Sequence, residues 1–242
     1  RNRMRGSEES WVDEPAKAAD LIKVARARLE KVSEKAEDAP VKRQVTTALK
    51  GLTSLEARVA NYQELLDLSG KSAAPLHDEL EGWVNGQPLT DVDLKGKVVL
   101  LDFWAIWCGP CIATFPHLRE WNEKYGDKGL VIIGLTRYYN FDWDDAEGRP
   151  VRSEAKLSEE QEQEMLRKFA AHHSLHHRFA IQKKEGTLDD YYKVQGIPHV
   201  VVIDQEGKIR LIRVGSGSRN AKKIDALLAE LLETKVDVKA GQ

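Results

Sequence analysis

The chain has two cysteines, Cys108 and Cys111, three apart in Trp107-Cys108-Gly109-Pro110-Cys111. A dithiol at this spacing is suited to reversible thiol–disulfide exchange. The apolar run Val98-Val99-Leu100-Leu101-Asp102-Phe103-Trp104 precedes it, which puts the pair where a buried strand hands over to a helix. At a helix N-terminus, unpaired amides and the macrodipole favour thiolate over thiol. Cys108 therefore reads as the nucleophile and Cys111, one helical turn on, as the resolving thiol. Competing uses fit less well. A structural zinc site asks for four ligands, and the chain has no second cysteine pair. A disulfide closing so short a loop removes little entropy from the unfolded chain.

The elements that must position the dithiol follow from the pattern around it. Val98 to Trp104 is the site strand, a helix runs from Cys108 to about Lys124, and Leu130-Val131-Ile132-Ile133-Gly134-Leu135 is a second buried strand. If the helix is a crossover, the two strands are parallel. Val200 to Asp204 and Lys208 to Val214 flank Gln205-Glu206-Gly207 as a hairpin, and Ala221 to Leu232 is a closing amphipathic helix. Asn85-Gly86, between short extended pieces, predicts a small hairpin ahead of the main sheet.

With those elements in place, Leu101 to Cys111 resembles the active-site segment of the thioredoxin superfamily. Pro116 stands where that family kinks its active-site helix, and Gly196-Ile197-Pro198 resembles the segment carrying its cis-proline. Leu94 to Val99 and Phe115-Pro116-His117-Leu118 are most similar to the TlpA/ResA-like extracytoplasmic branch. The resemblance runs from near Ala74 to Glu233. It implies a thioredoxin-like α/β fold, a central mixed sheet flanked by helices, with no cofactor and no metal. It also implies a proton-transfer role for Asp102, and a client groove formed by Trp107, Gly109, Pro110, Ile197 and Pro198. A carboxyl group buried in a strand has a raised pKa, which suits that role. Two departures stand out. Thr114 occupies a position where several members carry glutamate, and His199 follows the proline where threonine is common. His199 would add a titratable group near the site.

The N-terminal part reads differently. Ala18, Ile22, Ala25, Leu29, Val32 and Ala36 form one apolar stripe, and after Ala39-Pro40 the heptad seam Val45, Leu52, Val59 and Leu66, with Ala48, Leu55 and Tyr62, forms another. Together they predict a helical hairpin that serves as a folding appendage, a partner-docking surface or a dimerisation element. Ser69 to Pro75 is composed like a linker. The expected organisation is a hairpin and linker over 1–73, a thioredoxin-like domain over 74–236 with an inserted segment near 138–190, and a tail over 237–242.

That inserted segment opens with the aromatic and acidic stretch Tyr138 to Asp145. It reads as a loop to about Lys156 and as a selector of partners. Leu157 to Ala171 is helical in character, with Ser158 as its cap. His172, His173, His176 and His177 have a spacing that can hold zinc or copper if the helix continues through them. Phe179-Ala180-Ile181 instead suggests a strand, and polar-surface or satisfied core histidines are the default.

Thirty-seven basic against thirty-nine acidic residues leave a net charge of −2, which gives no sign of nucleic acid or an anionic membrane as a bulk partner. No apolar stretch approaches a transmembrane length. The chain begins Arg1-Asn2-Arg3, consistent with a trimmed mature form that has lost a signal peptide or a membrane anchor.

The leading expectation is a thiol:disulfide oxidoreductase of the bacterial periplasm or cell envelope. It would take electrons from an upstream thiol donor and reduce disulfide-bearing client proteins, since Gly-Pro between the cysteines resembles thioredoxin more than its oxidising relatives. Copper delivery on the same fold and an assembly module with a secondary redox site are the alternatives. A peroxidase is disfavoured because Trp104-Ala105-Ile106-Trp107 precedes Cys108.

Overall fold

A computed structural model describes residues 14–233, so the expected tail over 237–242 lies outside the described residues. The chain forms two compact units that divide between Leu68 and Ser69.

The first unit pairs α1 (Pro15–Lys35) with α2 (Ala39–Leu66). Ala18, Ile22 and Val59 bury against one another, with Leu52 and Leu55 packed around them. Arg26 forks onto Glu56 across the pair, Nε to Oε1 at 2.8 Å and a terminal nitrogen to Oε2 at 2.6 Å. The heptad seam does not hold to its end, because Leu65 is 3% exposed whereas Leu66 is 37% exposed. At 3.6 residues per turn Leu65 and Leu66 lie about 100° apart round the helix, so the face buried at this end is not the one the heptad count marks. Val32, expected in the first stripe, is likewise exposed.

The second unit is built on a mixed six-stranded sheet. Its elements are β1 (Leu80–Val84), β2 (Val98–Phe103), α3 (Gly109–Ile112), α4 (Phe115–Tyr125), β3 (Leu130–Thr136), β4 (Phe141–Asp144), β5 (Arg149–Arg152), α5 (Glu159–His172), β6 (Arg178–Gln182), α6 (Leu188–Tyr191), β7 (His199–Ile203), β8 (Ile209–Val214) and α7 (Ser218–Glu233). The strand order is β1-β6-β3-β2-β7-β8, with β4 and β5 as a separate ribbon. β2 runs parallel to β3, and β3 to β6, while β1, β7 and β8 run antiparallel to their neighbours. Every residue of β2 is buried, as expected of a central strand covered on both faces.

Three expectations change here. Asn85 and Gly86 do take left-handed backbone, φ 63° and 138°, but they end β1, which pairs with β6 rather than with a following strand. No hairpin forms there. The stretch before Lys156 is a two-stranded ribbon, Phe141 opposite Arg152 and Asp144 opposite Arg149, and not a loop throughout. The expected linker is bonded into the sheet unit: the Gly70 amide donates to the Ile209 carbonyl at 2.7 Å, Ile209 to Lys71 at 2.9 Å, and Ala73 to Gly207 at 2.8 Å.

Candidate active site

Strand alternation sets the two faces of the site. Val98, Leu100 and Trp104 pack in one cluster with Cys108, Cys111, Phe115, Val200 and Val202. Asp102, two residues from Leu100 and opposite Gly134 and Val200, falls on that same face, the one the cysteine-bearing helix covers. Phe103 and His199 fall on the other.

After β2 the chain turns through Ala105 to Trp107, with the Cys108 amide donating to the Ala105 carbonyl at 2.9 Å. Cys108 is the N-cap of α3, with Pro110 within the first turn where its missing N–H costs nothing. The Cys111 amide donates to Cys108 Sγ at 3.2 Å. The two sulfurs are joined, with Cα atoms 5.2 Å apart, so this is the oxidised form of the site. Cys111 is fully buried and Cys108 is 4% exposed, beside Trp107 at 58%. An incoming group therefore meets Cys108 and the indole first. The helical stretch expected from Cys108 to about Lys124 is broken just before Pro116, where the resemblance implies a kink. α3 ends at Ile112 and α4 starts at Phe115, because Pro116 has no amide for the carbonyl one turn back. The Thr114 hydroxyl donates to the Cys111 carbonyl at 2.7 Å across the break.

Asp102 is buried, and neither carboxylate oxygen has a hydrogen-bond partner. Burial pushes its carboxyl from 3.8 up to about 7, because an apolar interior disfavours the charged form. Trp104 anchors the same end of β2. It stacks on Phe169 at 5.3 Å and meets Phe179 and Phe115 at 4.9 and 5.7 Å. This aromatic wall was not singled out by sequence reasoning, although its members were visible as scattered Phe and Trp.

Ile197-Pro198 is a cis peptide. Ile197 packs against the cluster that holds the cysteines, and Pro198 lines a cleft with Thr114, Leu118 and Val200. His199 points away from this face. It is buried, its ring sits 5.5 Å from that of Phe103, and burial lowers its pKa to about 4. The expected extra titratable group near the site is thus a neutral core residue. The histidine cluster also separates: α5 ends at His172, Ser174 takes a left-handed φ of 53°, and His177 is buried. Among the described residues no group of three or more His, Cys, Asp or Glu converges as for a metal ion. Nor is any described helix long and apolar enough to cross a membrane.

Ser158 caps α5 as expected, and a capping box with Gln161 completes it. One further feature escaped the sequence: the Tyr139 ring stands edge-on to Trp107 at 5.9 Å, so the segment after β3 reaches the dithiol.

Comparison with known proteins agrees with this architecture. The model of the Redoxin family matches residues 69–228. Protein DipZ of Mycobacterium bovis is 30% identical over 178 residues, 72% of this chain and 22% of DipZ. Thiol-disulfide oxidoreductase ResA of Bacillus cereus is 30% identical over 126 residues, 52% of this chain and 60% of ResA. The crystal structure of a thiol-disulfide isomerase from Corynebacterium glutamicum matches with a TM-score of 0.51 at 20% identity, over 67% of this chain and 98% of that one. This last likeness shows the thioredoxin-like fold. The chain spans about a fifth of the length of DipZ and three fifths of ResA.

Proposed function

Because the chain belongs to the Redoxin family, we propose that it is a thiol:disulfide oxidoreductase that passes two electrons from Cys108 and Cys111 to a protein disulfide. The reduced Cys108 thiolate attacks one client sulfur, forming a mixed disulfide and releasing the other client sulfur as a thiolate. Cys111 then gives up its proton and attacks Cys108 Sγ, which releases the second client sulfur. The client leaves with two thiols, and the site is left as the disulfide seen here. A thiol donor returns it to the reduced form.

Asp102 is the group proposed to take the Cys111 proton. It lies on the cysteine-facing side of β2, and a carboxyl held near 7 exchanges protons at neutral pH. Trp107, Gly109, Pro110, Ile197 and Pro198 are the proposed client groove. Gly-Pro between the cysteines favours the reducing direction. The resemblance to ResA-like proteins supports an extracytoplasmic location, in the periplasm or cell envelope. The hairpin unit, which ends at Leu68, is left for docking a partner or a second copy, and the unit from Ser69 onward for the chemistry.

The observation that carries the proposal is the vicinal pair at the strand-to-helix junction, with Cys108 Sγ accepting the Cys111 amide. The test is insulin reduction with dithiothreitol as donor, followed as precipitation of the freed B chain. Turnover above the dithiothreitol background supports the proposal, and a rate equal to that background removes it.

A further inference from the structure

Glu162 is a buried carboxylate, 6% exposed, in the first turn of a helix whose acidic neighbours face water. Burying a charge is costly unless it is bonded, and Glu162 is bonded in one way. Its Oε2 accepts the backbone amides of Tyr139 at 2.8 Å and Asn140 at 2.7 Å. Two charge-assisted bonds to adjacent amides fix both position and direction of that stretch of backbone. The Ser158/Gln161 capping box in turn holds the helix end that carries Glu162.

Asn140 locks the other side. It takes a left-handed φ of 61°. Its Nδ2 donates to the carbonyls of Ser153 and Ala155, both at 2.9 Å, and its Oδ1 accepts the Leu157 amide at 2.8 Å. The ribbon β4–β5 is thereby closed at its base. Two consecutive tyrosines are pinned in different places: the Tyr138 hydroxyl accepts from Gln163 Nε2 at 2.7 Å, while the half-buried Tyr139 meets the exposed Trp107. Trp107 is the residue next to Cys108, so Trp107 and Tyr139 present a rigid apolar corner beside the sulfur that a client reaches first.

We propose that Trp107 and Tyr139 form a two-ring shelf for an apolar or aromatic side chain flanking the client's disulfide, and that Glu162 is the positioning residue that holds Tyr139 in the shelf. The proposal rests on the oxidoreductase function and names the class of client: protein or peptide disulfides with a large apolar residue beside the reactive cysteine. Its cause is the burial of that side chain against two rings, an edge-to-face pair that orders little on binding.

The experiment compares three disulfides with the full chain and dithiothreitol as reductant: bis(2-hydroxyethyl) disulfide, and two otherwise identical peptide disulfides with Phe or Ser next to one cysteine. The wild type is expected to favour the Phe peptide in kcat/KM by about tenfold. Glu162→Gln should raise KM for the Phe peptide towards that of the Ser peptide, with kcat and turnover of the small disulfide as in the wild type. Asn140→Gly, which keeps the left-handed backbone and drops the side-chain bonds, should move KM the same way. Tyr139→Ala should abolish the preference between peptides. Equal KM for the two peptides in the wild type, or a full preference retained in Tyr139→Ala, overturns the shelf, and a full preference retained in both Glu162→Gln and Asn140→Gly overturns the positioning role of Glu162. A wild type that reduces none of the three disulfides overturns the oxidoreductase reading instead.

Discussion

Phe103 and His199 lie directly opposite each other on β2 and β7, their rings edge-on at 5.5 Å. The pair turns the imidazole to the sheet face away from the dithiol. Asp102, one residue earlier, is the ionisable group that β2 presents to the cysteines. The family resemblance had put both groups near the site, and strand parity separates them.

The two cysteines should fail in different ways. Cys108→Ser removes the attacking sulfur and should abolish disulfide turnover. Cys111→Ser leaves attack intact but blocks resolution, so clients should accumulate as mixed disulfides. Non-reducing electrophoresis and intact-mass measurement distinguish these outcomes, and wild-type turnover by either variant would contradict the assignment.

Asp102→Asn tests the proton role and the fold at once. Resolution of the mixed disulfide should slow most near neutral pH and recover as alkali deprotonates Cys111 unaided. For stability, the folded carboxyl binds its proton more tightly than the unfolded one, about 7 against 3.8. Its contribution is therefore complete below about pH 4 and is lost as pH rises to about 7, at most about 4 kcal/mol in all. Urea denaturation should find Asp102→Asn more stable than the wild type at pH 8 and little changed at pH 4.

His199 carries the opposite sign. Its folded pKa is depressed from 6.5 to about 4, so the stability it supports is present above pH 6.5 and lost as pH falls towards 4, at most about 3 kcal/mol. Neither ring nitrogen has a hydrogen-bond partner. His199→Leu should flatten this acid limb, read as the change in urea midpoint between pH 7 and pH 4.5. An unchanged slope would mean that the ring is not held neutral by burial.

Gly134 is where the site strand's aromatic anchor leaves no room. A Cβ there would come within 2.8 Å of Trp104 Nε1 and 3.0 Å of Phe179. Gly134→Ala should cost about 1–3 kcal/mol by overpacking, measured as a lower urea midpoint. It should also shift Trp104, at the end of the strand that carries Asp102.

The buried strands and the closing helix were legible because a short apolar run or a regular apolar stripe is visible within one stretch of chain, as in Val98 to Phe103 and Leu130 to Leu135. The dithiol was legible for the same reason, as spacing within one turn. What was not legible depended on distant partners. Asn85-Gly86 carries a true local turn signal, but β1 finds its partner in β6, nearly a hundred residues on. The ribbon β4–β5 has a mostly half-exposed surface, so its alternation was too weak to separate from a loop. Glu162 looked like any acid in a Glu-rich helix, since bonding to the amides of Tyr139 and Asn140 leaves no periodic trace. The exposed Leu66 beside the buried Leu65 shows that a heptad count does not say which face is covered at the end of a helix.

The short bonded segment Gly70 to Ala73 does something a linker cannot. It occupies the backbone groups at the start of β8, the outermost strand on that side of the sheet. An open edge there would offer unpaired N–H and C=O groups as a template for another chain. A fragment begun at Ala74 would have that bare edge and would be prone to self-association. One begun at Ser69 keeps its own plug.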